Sequence, residues 1–322
     1  AYNAASTLGE CLAALRGQSI GRDRYEIIVV DDGSTDATAL VATTPGVRLL
    51  RQSNQGPAVA RNHGVRQAQG QIVLFTDADC VPAPTWLAEM GTPFGDAEVV
   101  GSKGVYRTRQ RGLVSRFVQV EYEERYDQME RVRYIDFVDT YAAAYRRDVF
   151  LQHGGFDTSF PTASVEDQEL SFRLAKKGHK MVYVPSAIVY HRHPSTLAAY
   201  LRRKYKTAYW KALVLRLHPE RAVRDSHTPG SLKVQMGLVC VFAPAMIIGA
   251  GLKVFSLVLV IMLLLLAVSF APFAIKALRR DPAVAIVSPV LLTARALALS
   301  AGLARGIWDA VCQRGPLAAR LS

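Results

Sequence analysis

Ile27-Ile28-Val29-Val30-Asp31-Asp32-Gly33-Ser34 decides the fold class of this chain. Four consecutive apolar residues, all of them β-branched, read as a strand buried on both faces. The acidic turn follows at its carboxyl end. Two more stretches repeat the arrangement: Ile72-Val73-Leu74-Phe75 runs into Asp77-Ala78-Asp79, and Val165 leads into Glu166-Asp167. Carboxylates at the carboxyl ends of buried strands lie where open α/β sheets bind ligands. Two of them at short spacing suit a hard divalent cation and the phosphates it neutralises. A third, apart from that pair, suits a base.

Outward from these motifs, strand and helix signals alternate. Glu26–Val30, Val47–Arg51, Gln71–Phe75 and Ala97–Lys103 read as strands, and Thr35–Ala42, Pro57–Gln69 and Pro84–Phe94 as helices. This order predicts an α/β domain with a mostly parallel sheet covered by helices. A doubly wound domain opens on a strand, whereas Ala1-Tyr2-Asn3 leads directly into the helical run Thr7–Leu15. The expectation is therefore that a first strand is missing. Leu113–Arg133 reads as a long amphipathic helix, Phe137–Tyr145 as a strand and Asp167–Lys177 as a helix stopped by Gly178. Lys180–Pro185 and Ile188–Tyr190 read as two further strands.

The chain has 322 residues, half of them hydrophobic, and a formal charge of +12. The apolar residues concentrate late. Val254–Ile275 has the length and composition to cross a bilayer. Gly237–Leu252, broken by Pro244, is a shorter candidate, and Ala283–Ala304 is a third, with Arg295 inside it. Arg295 either faces other protein or snorkels. With these spans present, the basic charge points to an anionic leaflet and to phosphates rather than to nucleic acid. The four cysteines, Cys11, Cys80, Cys240 and Cys312, have no spacing that suits a zinc site and read as unpaired thiols of a reducing compartment.

Leu197–Leu217 interleaves Arg202, Arg203, Lys204, Lys206 and Lys211 with Tyr200, Tyr205, Tyr209 and Trp210. Beside an apolar span, that pattern reads as a helix in the membrane interface; its plainer alternative is a surface helix packed on the sheet. The domain plan is thus 1–196 catalytic, 197–230 basic amphipathic helix and linker, and 231–322 membrane region with two to three helices. Lys276, Arg279 and Arg280 after the second span, against Lys253 before it, place the large domain on the cytoplasmic side of a multi-pass protein in the cell's inner membrane. Arg305, Arg314 and Arg320 oppose a full third crossing, so that segment either crosses anyway or lies partly in the interface.

Taken together, the motifs resemble the family 2 glycosyltransferases with a GT-A fold, over Ala1 to about Trp210. The matching residues are Ala1-Tyr2-Asn3, Val29 through Asp36, Gly56-Pro57-Ala58-Val59-Ala60-Arg61-Asn62-His63-Gly64, Asp77-Ala78-Asp79, Gly154-Gly155-Phe156-Asp157 and Glu166-Asp167. The spans resemble those of bacterial members that extend lipid-linked polysaccharide repeats. The resemblance implies a nucleotide-diphosphate sugar as donor, by family default a UDP-sugar, and a lipid-linked acceptor. Tyr2 and either Asp31 or Asp32 would hold the nucleobase, and Arg61 would line the same pocket. Asp77 would contact the ribose or the metal, and Asp79 would ligate Mg2+ or Mn2+. Asp167 would be the general base of an inverting transfer, with Glu166 orienting the site or contacting the acceptor. His191 would contact the diphosphate or the metal. Processive members carry a Gln-x-x-Arg-Trp segment after the base. Here Tyr209 precedes Trp210, which favours transfer of a single sugar.

Each assignment has a plainer counterpart. Asp31, Asp32 and Ser34 also suit a helix cap, Asp77 and Asp79 a turn, and Glu166 and Asp167 the first turn of a helix, where acids favour the macrodipole. His191 at a strand end also suits simple packing. At the level of function, a polyprenyl-phosphate glycosyltransferase is the nearest alternative, and a non-catalytic membrane scaffold on a transferase fold is the alternative from another class.

Overall fold

The computed structural model describes residues 1–160, 165–222, 225–248 and 255–312. They form two compact units. The first comprises Ala1–Arg109, Met129–Arg192 and a short segment ending at His227; the second comprises Gln110–Gln128, His193–Ala222 and the helices from Thr228 onward.

In the first unit, α1 (Leu8–Arg16) precedes β1 (Ile27–Asp31), α2 (Thr38–Ala42), β2 (Val47–Arg51), α3 (Pro57–Gln67), β3 (Ile72–Phe75), β4 (Cys80–Pro82), α4 (Trp86–Gly91) and β5 (Val99–Arg107). The second unit then contributes α5 (Leu113–Met129). The chain continues in the first unit with β6 (Ala143–Arg146), α6 (Arg147–Gln152), α7 (Glu166–Lys176) and β7 (Lys180–His191). The α/β class follows the alternation of the sequence. Leu8 and Leu12 of α1 meet Ile27 and Val29 of β1 in one buried cluster. Phe75, Tyr145, Phe150 and Phe156 form an aromatic cluster with ring centroids 5.1–6.3 Å apart.

The sheet is mixed, which corrects the expectation of a mostly parallel one. β1 and β2 pair in parallel, joined through α2. A second sheet has the order β3-β6-β5-β7-β4, in which only β5 and β7 run parallel. Parallel neighbours need a crossover of about a dozen residues or more. Only residues 76–79 separate β3 from β4, and β4 runs antiparallel to β7 with Cys80 opposite His191. The stretch read as a strand over Phe137–Tyr145 is instead a 3-10 turn at Thr140–Ala142 that delivers β6. The two short strands expected at Lys180–Tyr190 are one continuous β7, with irregular register against β5. At the amino end, the Ala1 ammonium donates to Val30 O and Ala1 O accepts from Asp32 N, so the first residue lies against the end of β1.

In the second unit, α5 packs with α8 (Leu197–Leu217), α9 (Gly230–Ile248), α10 (Phe255–Arg280) and α11 (Pro282–Val311). Phe117 of α5, Tyr200 of α8, Phe273 of α10 and Leu292 of α11 share one core. Leu259–Arg280 and Pro282–Val311 are long and apolar enough to cross a bilayer, by length and composition. Ile261, Leu264, Val268 and Leu278 of α10 are exposed. The end of the expected first span, Lys253, Arg314 and Arg320 lie outside the described residues.

Arg295 faces protein. It is buried, its guanidinium donates to Glu121 Oε1 at 2.8 Å, and a second nitrogen donates to Gln235 Oε1 at 2.7 Å. Glu121 also accepts from Tyr200 and Lys204, at 2.8 and 3.2 Å. Burial alone would push the Glu121 carboxyl up, but Lys204, Arg295 and Arg125 outweigh it and hold it at about 2. α8 also lies close against α11: a Cβ on Gly302 would meet Tyr205 O at 2.3 Å, and one on Gly306 would meet Tyr209 O at 2.4 Å. The buried face of α8 is therefore a packing face, carrying Tyr200, Trp210 and Val214.

Candidate active site

The site lies in the first unit, where three segments bring acids to the carboxyl ends of β1 and β3 and to the start of α7. β1 ends in Asp31, fully buried, which accepts from Ser34 N at 3.1 Å. Its other oxygen, Oδ2, is buried without a hydrogen bond and has Arg51 Nε at 3.5 Å. Asp32 has a different job. Its carboxylate accepts from Gln52 Nε2, Gln55 N and Gly56 N at 2.7, 3.0 and 2.9 Å. Those bonds fix the loop that starts α3. Gly33 turns the chain there at φ 75°, and a Cβ on it would sit 2.7 Å from Asn54 N. Of the two neighbouring aspartates, Asp31 is the one with a side-chain oxygen that accepts no hydrogen bond. Tyr2 is 52% exposed, and Asn3 beside it accepts from Thr35 N at 2.9 Å.

α3 places Arg61 at the centre. One guanidinium nitrogen donates to Glu166 Oε1 at 2.7 Å and another to Asp77 Oδ1 at 3.0 Å. Arg61 thus ties the acidic turn after β3 to the first turn of α7. Asn62, the next residue, carries no signal in the sequence for a role of its own. It accepts from Phe156 N and donates to Phe156 O, at 2.9 and 2.8 Å, and so fixes the Gly154-Gly155-Phe156-Asp157 turn. Arg173 of α7 holds the same turn through Gly155 O at 2.8 Å. Both segments are visible as motifs, but nothing in the sequence says that one side chain joins them.

Two residues beyond Asp77, the exposed Asp79 meets the end of β7: His191 Nε2 is 3.2 Å from Asp79 Oδ2. Cys80 Sγ lies 3.9 Å from Asp79 Oδ1. Donor atoms of Asp79, Cys80 and His191 all fall within 4.8 Å of one another, a spread that can hold a metal ion. The cysteines are scattered along the sequence, yet the β4–β7 pairing brings this one to a histidine. The signal for Cys80 was its position directly after the acidic motif. His191 also stacks on Tyr106, with centroids 4.5 Å apart, a contact no motif announces.

Asp167, half-buried, accepts from Thr140 N at 3.2 Å and from Gln168 N at 2.8 Å. Burial first and the neighbouring Glu166 charge second push its carboxyl up to about 7, against the pull of Thr140 N–H, Arg61 and Gln168 N–H. A carboxyl poised there exchanges a proton near neutrality, as a general base requires. The structure therefore joins Arg61, Asp77 and Glu166 by direct bonds, places Asp167 beside Glu166, and joins Asp79 to His191. Asp31 and Asp32 stand at the neighbouring strand end.

A family model described as glycosyl transferase family 2 matches residues 1–154. An N-acetylglucosaminyltransferase of Azorhizobium caulinodans is 29% identical over 223 residues, covering 63% of this chain and 55% of its own length. A pre-mycofactocin glycosyltransferase of Mycobacterium tuberculosis is 29% identical over 212 residues, covering 63% of this chain and 43% of its own. The chain spans about half the length of these curated relatives. Among solved structures, the mannosyltransferase PcManGT from Pyrobaculum calidifontis, in complex with GDP-Man and Mn2+, has a similar fold. Its TM-score is 0.61 at 22% identity, over 96% of this chain and 85% of that one.

Proposed function

This chain belongs to glycosyltransferase family 2 through residues 1–154 and has a GT-A fold, and on that premise we propose that it transfers a single sugar, with inversion, from a nucleotide-diphosphate sugar to a lipid-linked glycan acceptor at the cytoplasmic face of a membrane. The observation that supports this most is the convergence of Asp79 and His191, the Asp77–Arg61–Glu166 bridge and Asp167 in one unit. In this reading Asp31, with its buried acceptor, and Tyr2 receive the nucleobase, while Asp32 keeps the loop in shape. Asp79 and His191 would hold Mg2+ or Mn2+, and Asp77 would contact the ribose or the ion. When bound, the ion neutralises the diphosphate that gains charge as it leaves. Asp167 takes the proton of the acceptor hydroxyl while that oxygen bonds to the anomeric carbon. The bond from that carbon to the diphosphate oxygen breaks, and its electron pair leaves with the nucleoside diphosphate.

The name of the Azorhizobium caulinodans relative favours an N-acetylhexosamine donor. Exposed apolar residues along α10 support a lipid-facing helix. Anchoring enzyme and acceptor to one surface raises their effective concentration.

Nucleoside diphosphate release tests the proposal. Membranes carrying the full chain receive a panel of nucleotide sugars, Mn2+ or Mg2+, and either a lipid-linked glycan extract or polyprenyl phosphate. Release that requires metal, the glycan extract and Asp167 is the expected result. Release with polyprenyl phosphate alone would move the acceptor to the lipid phosphate. Turnover retained in Asp167→Asn would remove the assigned base.

A further inference from the structure

Lys103 of β5 is fully buried, and its ammonium pairs with the carboxylate of Asp139, itself only 9% exposed. The same ammonium donates to the Tyr141 hydroxyl at 3.0 Å and lies 4.8 Å from the centre of the Tyr141 ring. A buried ion pair loses hydration that its mutual attraction only partly restores, so it is weak evidence for stability and needs another reason. Its position supplies one. Asp139 and Tyr141 flank Thr140, whose backbone N–H donates to Asp167 Oδ2 at 3.2 Å. One cation thus grips both neighbours of the peptide that aims at the carboxylate.

We infer that Lys103 and Asp139 are positioning residues for the base, holding the Thr140 N–H on the Asp167 carboxylate. The inference rests on the assignment of Asp167 as general base. Thr140 opens the 3-10 turn over Thr140–Ala142, and the backbone before it is extended, with Asp139 at φ −76° and ψ 140°. An N–H placed at the start of such a turn is not used within the turn, so it is available to the carboxylate. Tyr141 also stacks on Tyr106, which in turn stacks on His191. The grip therefore extends from the base towards the proposed metal ligands through contiguous rings.

Thr140→Pro deletes the N–H together with the threonine side chain. Proline suits the first position of a helical turn, and the extended Asp139 suits a residue before proline. Thr140→Ala keeps the N–H and is the control. Lys103→Met removes the ammonium and keeps an apolar stem, and Asp139→Asn replaces it as the second variant where Lys103→Met does not fold. Glu166 and Arg61, the charged groups facing Asp167, stay in place throughout, as does the Tyr145 hydroxyl. Each variant is checked for folding by thermal unfolding, then measured for kcat, donor KM and the pH profile of kcat/KM.

A hydrogen bond to the ionised carboxylate favours that form, so its loss raises the pH at which the base works. In Thr140→Pro and Lys103→Met the expected result is a kcat lower by about tenfold or more at pH 7, with donor KM within about threefold. The acid limb moves to higher pH in both, and in Thr140→Ala it stays. An unmoved limb in folded Thr140→Pro overturns the inference, as does a Thr140→Ala that behaves like Thr140→Pro. Turnover retained in Asp167→Asn, by contrast, overturns the assignment of the base itself, so the two failures are distinguishable.

Discussion

Replacing Glu166 with Gln tests the electrostatics of the proposed base while leaving its own carboxyl intact. Partial burial first, and the like charge of Glu166 second, push the Asp167 carboxyl up to about 7. A base with that value is ionised in about one molecule in eleven at pH 6 and about ten in eleven at pH 8, so kcat/KM should rise about tenfold between them. A neighbouring charge shifts a carboxyl by about one to three units. Glu166 is itself paired with Arg61 at 2.7 Å, which places its effect at the low end, about one unit. In Glu166→Gln the repulsion is gone and Arg61 is left to attract Asp167, so both changes act in one direction. The acid limb should fall from about 7 to about 6, and the rate at pH 6, relative to the plateau, should rise about fivefold. The assay is nucleoside diphosphate release at saturating metal across pH 5–9, with donor KM followed separately because Arg61 loses a partner. An acid limb that stays in place or moves upward would refute the reasoning.

Four further outcomes follow from the same contacts. The folded Asp167 carboxyl holds its proton up to about 7 rather than the ordinary 3.8, so the folded state binds more protons than the unfolded one between these values, and stability is lost as pH rises through that window. Asp167→Asn removes the loss and should raise the melting temperature at pH 8 while abolishing turnover. Asp79→Ala should eliminate metal-dependent release, and activity persisting in chelator-treated membranes would contradict the assigned ligand. Glu121→Leu strands Arg295 and Lys204 in a buried core and should destabilise the helical unit by about 3–5 kcal/mol, whereas Glu121→Leu with Arg295→Met should recover much of it in thermal unfolding. Gly302→Ala places a Cβ 2.3 Å from Tyr205 O and should destabilise the α8–α11 contact by about 1–3 kcal/mol, read in the same way.

The positions of the acids were legible because they depend on local rules. An apolar run ending in Asp31-Asp32-Gly33 marks a strand and its turn, and Glu166 opens α7 as first-turn acids do. Strand direction was not legible, because it depends on which non-local partner a strand finds. The Phe137–Tyr145 run reads as one strand, yet its middle is spent on the turn that carries Thr140 to Asp167. Nor does adjacency separate Asp31 from Asp32. The two are distinguished only by where Gln52, Gln55 and Gly56 come back to the strand end. The partner of Arg295 is 174 positions away, beyond any pattern of charge spacing.

The buried charges of the two units differ in a way that separates a site from a scaffold. Glu121 spends both oxygens on protein: Oε1 accepts from Lys204 and Arg295, and Oε2 from Tyr200. Such a group is buried and bonded to protein at both oxygens, and its removal should be felt as lost stability. Asp31 instead keeps a buried oxygen without a hydrogen bond, Asp79 stays exposed beside His191, and Asp167 holds its proton to about 7 despite two N–H donors. A buried oxygen without a hydrogen bond and a proton held near neutrality are both unfavourable for folding, so they persist where something other than folding needs them. By that criterion Asp32, with three donors on its carboxylate, sorts with Glu121 as a structural acid although it sits beside Asp31. Asp32→Asn should therefore lower the melting temperature and loosen the loop before α3, whereas Asp31→Asn should leave the melting temperature nearly unchanged and raise donor KM. The reverse outcome for the pair would show that hydrogen-bond saturation does not distinguish binding acids from structural ones in this fold.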